Sequence, residues 1–172
     1  MATIEELTER VERLAARVDA AESVLAIQSL KARYGELVDA RFVRGRPVDP
    51  GRMAELARQA AALFTEDGVW DGGPGLGVVR GRAAIAVRLA EPTVVFSRHL
   101  FVKPRIEVDG DRGSARWDLL SPCTRPDGTS LWVSGWEDDV YTRVDGAWLH
   151  DSMTFTTVFA SPDGAGWSKI LA

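Results

Sequence analysis

Cysteine and histidine are both scarce in this chain of 172 residues. Cys123 is the only cysteine, which excludes an internal disulfide and any zinc site made of several thiolates. The two histidines, His99 and His150, lie far apart without a metal-binding spacing, so we expect no metal. The glycine-rich stretch 72–77 lacks the lysine and the helix start of a phosphate-binding loop. We therefore expect no nucleotide cofactor.

Basic patches and long apolar runs are missing as well. The formal net charge is −4 and the arginines are spread among acids, which argues against a nucleic-acid or anionic-membrane partner. No apolar run reaches the length of a membrane span, and residues 1–10 lack the regions of a signal peptide. A hydrophobic content of 45% is typical of a globular domain. These features predict a cytoplasmic protein.

The N-terminal segment 1–22 has the spacing of an amphipathic helix. Thr3 followed by Glu6 fits a capping box. Apolar residues recur in steps of three and four, at Ile4, Leu7, Val11, Leu14, Val18, Ala21 and Leu25. Such a helix packs either on its own domain or in a subunit interface. The narrow, heptad-like stripe favours the interface, so we predict a homo-oligomer, either a dimer or a trimer.

The rest of the chain changes from helical to strand periodicity. Helices are predicted at 24–42, 52–64 and 82–89, with a turn at 65–68 and a short strand at 69–70. Strands are predicted at 94–108, 114–123, 130–143 and 147–159, separated by hairpin signals. This order predicts one α+β domain with a curved antiparallel sheet around helices. Its core would span 23–160, followed by an irregular tail at 161–172.

Three residues have side chains suited to proton transfer. His99 is of the residue type that transfers protons most readily near neutral pH. Asp39 lies in the last turns of the predicted helix 24–42, and Tyr34 lies about 140° around that helix from it. Taken singly, each residue fits a structural role better than a catalytic one. Their meaning depends on their combination.

These three residues belong to a longer series of short motifs. Each motif alone is degenerate, but the order and spacing of the whole series are specific. The series consists of Ala26–Lys31, Tyr34, Asp39, Leu63–Trp70, Gly81–Arg82, Arg98–His99, Pro104–Asp111, Ala115–Trp117 and Tyr141 with Val144–Trp148. With these motifs the chain resembles the SnoaL-like branch of the nuclear-transport-factor-two-like superfamily. Within that branch it is most similar to the bile acid 7α-dehydratase and scytalone dehydratase group.

The resemblance implies a cystatin-like cone: a strongly curved sheet closed by three helices, here with an extra N-terminal helix, around an apolar pocket. It also implies Tyr34, Asp39 and His99 as catalytic residues. The expected function is that of a cofactor-independent lyase, a dehydratase acting on a hydrophobic cyclic or aromatic small molecule with the Asp-His pair as base. Two alternatives stay open: a proton shuttle of the ketosteroid-isomerase or polyketide-cyclase type, and a non-catalytic ligand-binding domain.

One departure from the family pattern concerns the final strand. The bile acid dehydratase pattern places an arginine there, whereas Ser152–Phe159 contains none. If that arginine binds the acid group of the substrate or activates a leaving group, this protein must use another group or another substrate. From the polar residues near that strand and from the strand tryptophans, which offer a flat apolar wall, we expect Trp117, His150 and Thr156 to be substrate-binding residues.

Overall fold

The computed structural model describes residues 2–163, and within that range the chain forms three helices and nine strands. The helices are α1 (Ile4–Asp39), α2 (Pro50–Ala61) and α3 (Arg82–Ala90). The strands are β1 (Phe42–Val43), β2 (Arg46–Pro47), β3 (Phe64–Asp71), β4 (Val78–Arg80), β5 (Phe96–Ser97), β6 (Leu100–Asp109), β7 (Arg112–Thr124), β8 (Ser130–Val144) and β9 (Ala147–Pro162). The predicted α+β class is confirmed.

Seven of these strands form one curved sheet in the described part of the chain. Its order is β4-β3-β9-β8-β7-β5, and β6 also pairs with β7. The pairs are antiparallel except for β3 with β9, which run parallel. All three helices contribute apolar side chains to a core shared with β3 and β9, including Tyr34, Leu56, Ile85, Phe64 and Met153. The predicted cystatin-like arrangement is confirmed.

Helix α1 corrects the predicted boundary near residue 23, because the two predicted N-terminal helices are one continuous helix. The junction contains Ala20 and Ala21 and no glycine or proline, so nothing in it favours a helix end. The predicted capping box is present. Thr3 Oγ1 accepts a hydrogen bond from the Glu6 backbone N–H at 3.2 Å, and the Thr3 backbone N–H donates to Glu6 Oε2 at 2.8 Å. No helix within residues 2–163 has both the length and the apolar character needed to cross a membrane.

Two further boundaries differ from the prediction. The predicted turn at 65–68 is part of β3, where the pairing with β9 shifts register between Phe64 and Val69. The predicted strand at 94–108 is broken into β5 and β6, with Arg98 and His99 between them. Strand β9 runs on to Pro162, and the remainder of the predicted tail lies outside the described residues.

Strand β9 contains two bulges that change which side chains face the interior. Asp151 is an extra residue between successive pairs with β8, and Val158 is another. A bulge reverses the alternation of side chains between the two faces of a sheet. For that reason His150 and Met153 are both buried although they lie three residues apart. The bulges therefore decide which residues of β9 reach the space under the helices.

Replacing Gly135 with alanine tests the contact of β8 with β9 beside the Val158 bulge. An added Cβ would overlap the backbone carbonyl of Thr156, and backbone atoms cannot move away easily. We expect Gly135→Ala to lower the free energy of unfolding by about 2 kcal/mol or more, as overpacking does. Urea denaturation measures this difference.

Gly75→Ala is the matched control, because no atom lies within 4 Å of its added Cβ. Its stability should stay within about 0.5 kcal/mol of the original chain. Equal stabilities for the two variants would show that the described packing of β8 on β9 is wrong.

Candidate active site

A cavity of about 530 Å³ lies between α1, α3 and the inner face of the sheet. Its volume is within the range of small-molecule sites. Much of its wall is apolar and includes Val38, Trp70, Leu119, Met153 and Phe155. Polar side chains on the wall include Tyr34, Arg41, His99, Ser121, Glu137 and Thr157. An apolar chamber with a few polar groups is the usual form of a site for a hydrophobic ligand.

The predicted Asp39–His99 pair is in hydrogen-bond contact at the wall of this cavity. His99 Nδ1 lies 2.7 Å from Asp39 Oδ1, and the His99 backbone N–H donates to the same oxygen at 3.0 Å. Asp39 is the last residue of α1 and is buried, while the irregular link between β5 and β6 supplies His99. Because an ionised carboxylate can only accept, His99 Nδ1 carries the hydrogen and Nε2 is left as the acceptor.

Arg98 adds a cationic contact to this carboxylate. Its Nε lies 3.3 Å from Asp39 Oδ2, on the more exposed side of the pair. Asp39 itself does not line the main cavity, whereas His99 does. Of this pair, His99 therefore lines the main cavity, and the Asp39 carboxylate holds its ring through the hydrogen bond to Nδ1.

Tyr34 lies on the same wall and keeps its phenol protonated. Its oxygen accepts a hydrogen bond from Trp70 Nε1 at 3.0 Å. Burial raises the pKa of Tyr34 well above its usual value, and the negative charge of Glu137 acts in the same direction. Among the described residues nothing accepts the phenol hydrogen, so Tyr34 can donate it to a ligand in the cavity.

The three predicted substrate-binding residues, Trp117, His150 and Thr156, are not among the described residues that line this cavity. Trp117 is buried, donates to Tyr141 Oη at 3.1 Å, and lines a second cavity that Asp39 and His99 also line. On β9 it is Thr157, the neighbour of Thr156, that lines the main cavity, because the prediction counted the alternation of side chains without the bulges of the strand.

His150 faces inward but is sealed in the core. Its ring stacks on Phe64 at 5.0 Å between centroids and touches Tyr34 and Tyr141. Neither ring nitrogen has a hydrogen-bond partner among the described residues. Burial lowers the pKa of His150 to about 3, against an opposing effect of the Asp139 charge. His150 is therefore neutral at physiological pH, and its side chain has no accessible surface in this structure.

A buried ionic cluster at the cavity floor was not predicted. Lys31 Nζ donates to Glu137 and, at 2.7 Å, to Asp139 Oδ2. Tyr141 Oη donates to the same Asp139 oxygen at 2.7 Å. One lysine faces two carboxyls, and burial, reinforced by Asp139, raises the pKa of Glu137 although Lys31 lowers it. The sequence signal was the alternation of Glu137, Asp139 and Tyr141 along one face of β8.

Arg41 is a further residue of the site that was not predicted from the sequence. Its side chain is buried and lines the cavity. Nε donates to the Val38 carbonyl at 2.8 Å and Nη1 donates to the Leu89 carbonyl at 2.7 Å. Burial lowers the pKa of Arg41, whereas Tyr34 and Asp39 raise it. A guanidinium stays charged in proteins, so Arg41 brings a cation to the cavity.

Other chemistry has less support at this site. Within the described residues no group of three or more His, Cys, Asp or Glu side chains is arranged to hold a metal ion. Cys123 lines the cavity, but burial raises the pKa of its thiol, which disfavours the nucleophilic thiolate.

Residues 19–154 match the family described as the SnoaL-like domain. The chain belongs to this family. No curated protein matches it. Among solved structures, a variant of a Mycobacterium tuberculosis protein of unknown function shares 26% identity over 78% of this chain and 76% of that one, with a TM-score of 0.62. The SnoaL-like resemblance predicted from the motifs is confirmed.

Two further solved structures are similar to this SnoaL-like chain in fold. A scytalone dehydratase-like protein from Novosphingobium aromaticivorans has a TM-score of 0.65, with 20% identity over 82% of this chain and 87% of its own. A type-3 hexachlorocyclohexane dehydrochlorinase from Novosphingobium barchaimii has a TM-score of 0.66, with 21% identity over 91% and 95%. At these identities the likeness establishes the fold.

Replacing His150 tests the sealed environment assigned to it. The folded-state pKa of about 3 lies below the unfolded value of about 6.5, so this histidine opposes folding increasingly as the pH falls between them. At pH 4.5 this effect is about 2–3 kcal/mol relative to pH 7, at roughly 1.4 kcal/mol per pH unit. His150→Leu should therefore lose less stability on acidification than the original chain.

Urea denaturation at pH 7 and at pH 4.5 measures this difference. The carboxyl groups present in both proteins contribute equally to the change in the free energy of unfolding with pH, so their contribution cancels when the two changes are subtracted. An identical pH dependence for both would mean that His150 is solvated or hydrogen-bonded in solution.

Proposed function

We propose that this protein is a cofactor-independent lyase that eliminates water or a similar small group from a hydrophobic cyclic or aromatic compound. The observation that carries the proposal is the 2.7 Å contact between His99 Nδ1 and Asp39, placed at the wall of an apolar cavity. Tyr34 provides a protonated phenol on the same wall. A base and a hydrogen-bond donor facing one chamber are the groups that an elimination requires.

The proposed reaction uses each group at a stated atom. His99 Nε2 takes a proton from a substrate carbon beside a carbonyl or ring system, and the electrons of that C–H bond form the new double bond. The leaving group departs with its bonding electrons, and a departing hydroxide takes the proton from the His99 imidazolium to become water, which returns the imidazole to its neutral form. The Asp39 carboxylate stabilises the imidazolium formed in the first step. Tyr34 donates its hydrogen to the substrate oxygen on which charge develops.

The similar structures support an elimination. One is described as a dehydrochlorinase and the other as scytalone dehydratase-like, and both names denote loss of a small molecule from a ring compound. The fold alone does not determine the reaction, because one fold hosts many functions. The geometry of Tyr34, Asp39 and His99 carries the proposal to this chain.

Removing the base should abolish turnover. We expect His99→Ala and Asp39→Asn each to lower kcat by about 100-fold or more, since a positioned general base contributes that much. The double variant should lose little beyond either single one, because the two groups act as a unit. The measurement is mass spectrometry of hydroxylated and chlorinated ring compounds incubated with each protein.

Asp118→Asn serves as the matched control, since its carboxylate pairs with Lys103 on the surface. Its turnover should equal that of the original chain. Undiminished turnover by His99→Ala would refute the proposed base. A product of unchanged mass would instead support the isomerase-type alternative, which shares the first proton transfer.

We also propose that the exposed end of α1 pairs with a second copy of this chain. Residues 2–19 are all exposed, and among the described contacts the ion pair of Asp19 with Arg143 is the one that joins this half of the helix to the rest of the domain. Its apolar stripe, spaced for helix pairing, is exposed as well. The stripe consists of Ile4, Leu7, Val11, Leu14, Val18 and Leu25. A self-complementary stripe is a natural contact between identical subunits.

A charge in the stripe should break this contact. We expect Leu14→Glu to convert the oligomer to a monomer, as measured by size-exclusion chromatography with light scattering, because the carboxylate would be desolvated in the interface. Ala16→Glu introduces the same side chain on the opposite face of the helix and should leave the mass unchanged. A monomeric original chain would rule the proposal out.

A further inference from the structure

We infer that the cavity takes a ring compound bearing a carboxylate, and that Arg41 is the residue that contacts this anion. The inference rests on the proposed function in one respect only, because it names the substrate class for the same cavity. It follows from the placement of Arg41 and from the charge of the cavity wall.

The guanidinium of Arg41 is held by two hydrogen bonds, and its third nitrogen, Nη2, has no acceptor among the described residues. Nε and Nη1 donate to the carbonyls of Val38 and Leu89, which fixes the guanidinium between α1 and α3. No described residue accepts a hydrogen bond from Nη2. Nη2 is also not one of the fully enclosed polar atoms that lack a partner. Since the residue is 93% buried and lines the cavity, the accessible surface of Nη2 belongs to the cavity.

A buried cation with an unused donor requires an acceptor. The desolvation of a charged group is costly unless that group is paired, so an unpaired donor in a largely apolar chamber favours a ligand that carries negative charge. One free nitrogen matches one carboxylate oxygen, and a charge-assisted hydrogen bond is about twice as strong as a neutral one.

The charge of the wall agrees with this assignment. The chain as a whole has a net charge of −4, yet the described residues of the cavity wall include three arginines and only two carboxyls. The arginines are Arg41, Arg88 and Arg125, and the carboxyls are Asp71 and Glu137. Glu137 is already paired with Lys31, which leaves Asp71 as the other described carboxylate of the wall. Three arginines face this one carboxylate, so the charge of the described wall is positive in sum.

Arg41 lies close in sequence to the proposed Asp39–His99 pair. It comes from the link that follows α1, two residues beyond Asp39, and it lines the cavity together with His99. A carboxylate held by Arg41 would place the remainder of the ligand against the apolar wall near His99.

Binding of matched ligand pairs tests this inference independently of turnover. Three carboxylates of increasing size, namely benzoate, 2-naphthoate and 1-pyrenebutyrate, are each compared with the corresponding uncharged carboxamide by isothermal titration calorimetry at pH 7. We expect at least one carboxylate to bind tenfold or more tightly than its amide, as a charged hydrogen bond in a low-dielectric site provides. Equal or weaker binding of every carboxylate, or no binding by any probe, would overturn the inference.

Variants then assign the preference to Arg41. In Arg41→Gln the preference for carboxylate should disappear, and in Arg41→Lys, which keeps the charge but not the planar geometry, it should be reduced. Arg33→Gln, on an exposed turn of α1, should keep the full preference. Persistence of the preference in a folded Arg41→Gln, checked by circular dichroism, would contradict the assignment. If that variant does not fold, the ratio in Arg41→Lys decides.

Failure of this inference is distinguishable from failure of the proposed lyase. His99→Ala should bind the carboxylates with unchanged preference although its turnover is lost. A protein that turns over only uncharged compounds would refute the carboxylate inference and leave the proposed elimination intact.

Discussion

The buried contact between Lys31 and two carboxyls of β8 is the interaction on which the geometry of the site depends. Lys31 is almost inaccessible to solvent, and its ammonium group contacts Glu137, Asp139 and the ring of Phe101, which lies 4.4 Å away at its centroid. Removing one member of such a cluster typically costs about 3–5 kcal/mol, because a buried charge is left unpaired. Sliding α1 along the sheet would break the cluster in the same way. The cluster therefore fixes the position of α1 along the sheet, and with it the positions of Tyr34 and Asp39.

The two histidines show how strongly position determines chemistry in this fold. His99 meets the cavity with a carboxylate behind its ring, so one nitrogen is oriented and the other is available. His150 is enclosed by aromatic rings without a hydrogen-bond partner among the described residues, and its pKa is lowered to about 3. The same side chain thus lies beside a carboxylate at the cavity wall in one place and is a neutral packing group in the other.

Local patterns were enough to predict most of the elements, whereas the Asp39–His99 pair was predicted from the resemblance to the family. The capping box at Thr3, the hairpin signals and the strand periodicity depend on neighbours in sequence, and the structure agrees with them. What could not be predicted depends on contacts distant in sequence. Asp151 and Val158 become bulges only when β9 pairs with β8, and that pairing moved Thr157 rather than Thr156 to the cavity.

The unpredicted charged residues have the same explanation. Lys31 and Arg41 are of residue types that usually lie on the surface, so sequence alone gives no reason to bury them. Their partners are on β8 for Lys31 and at the end of α3 for Arg41. The continuity of α1 was missed for a different reason. Two helices were predicted on either side of residue 23, whereas that position marks only where α1 begins to pack on the rest of the domain.

That continuity has a mechanical consequence. A helix of 36 residues is a rod about 54 Å long. The exposed apolar stripe lies near one end of it, and Tyr34 and Asp39 lie near the other. No hinge separates the two ends, so a subunit held at the stripe would have its orientation relative to the cavity set by the rod itself. In an assembly joined through the stripe, the distance and the angle between the cavities of two subunits would then depend on the length and direction of α1.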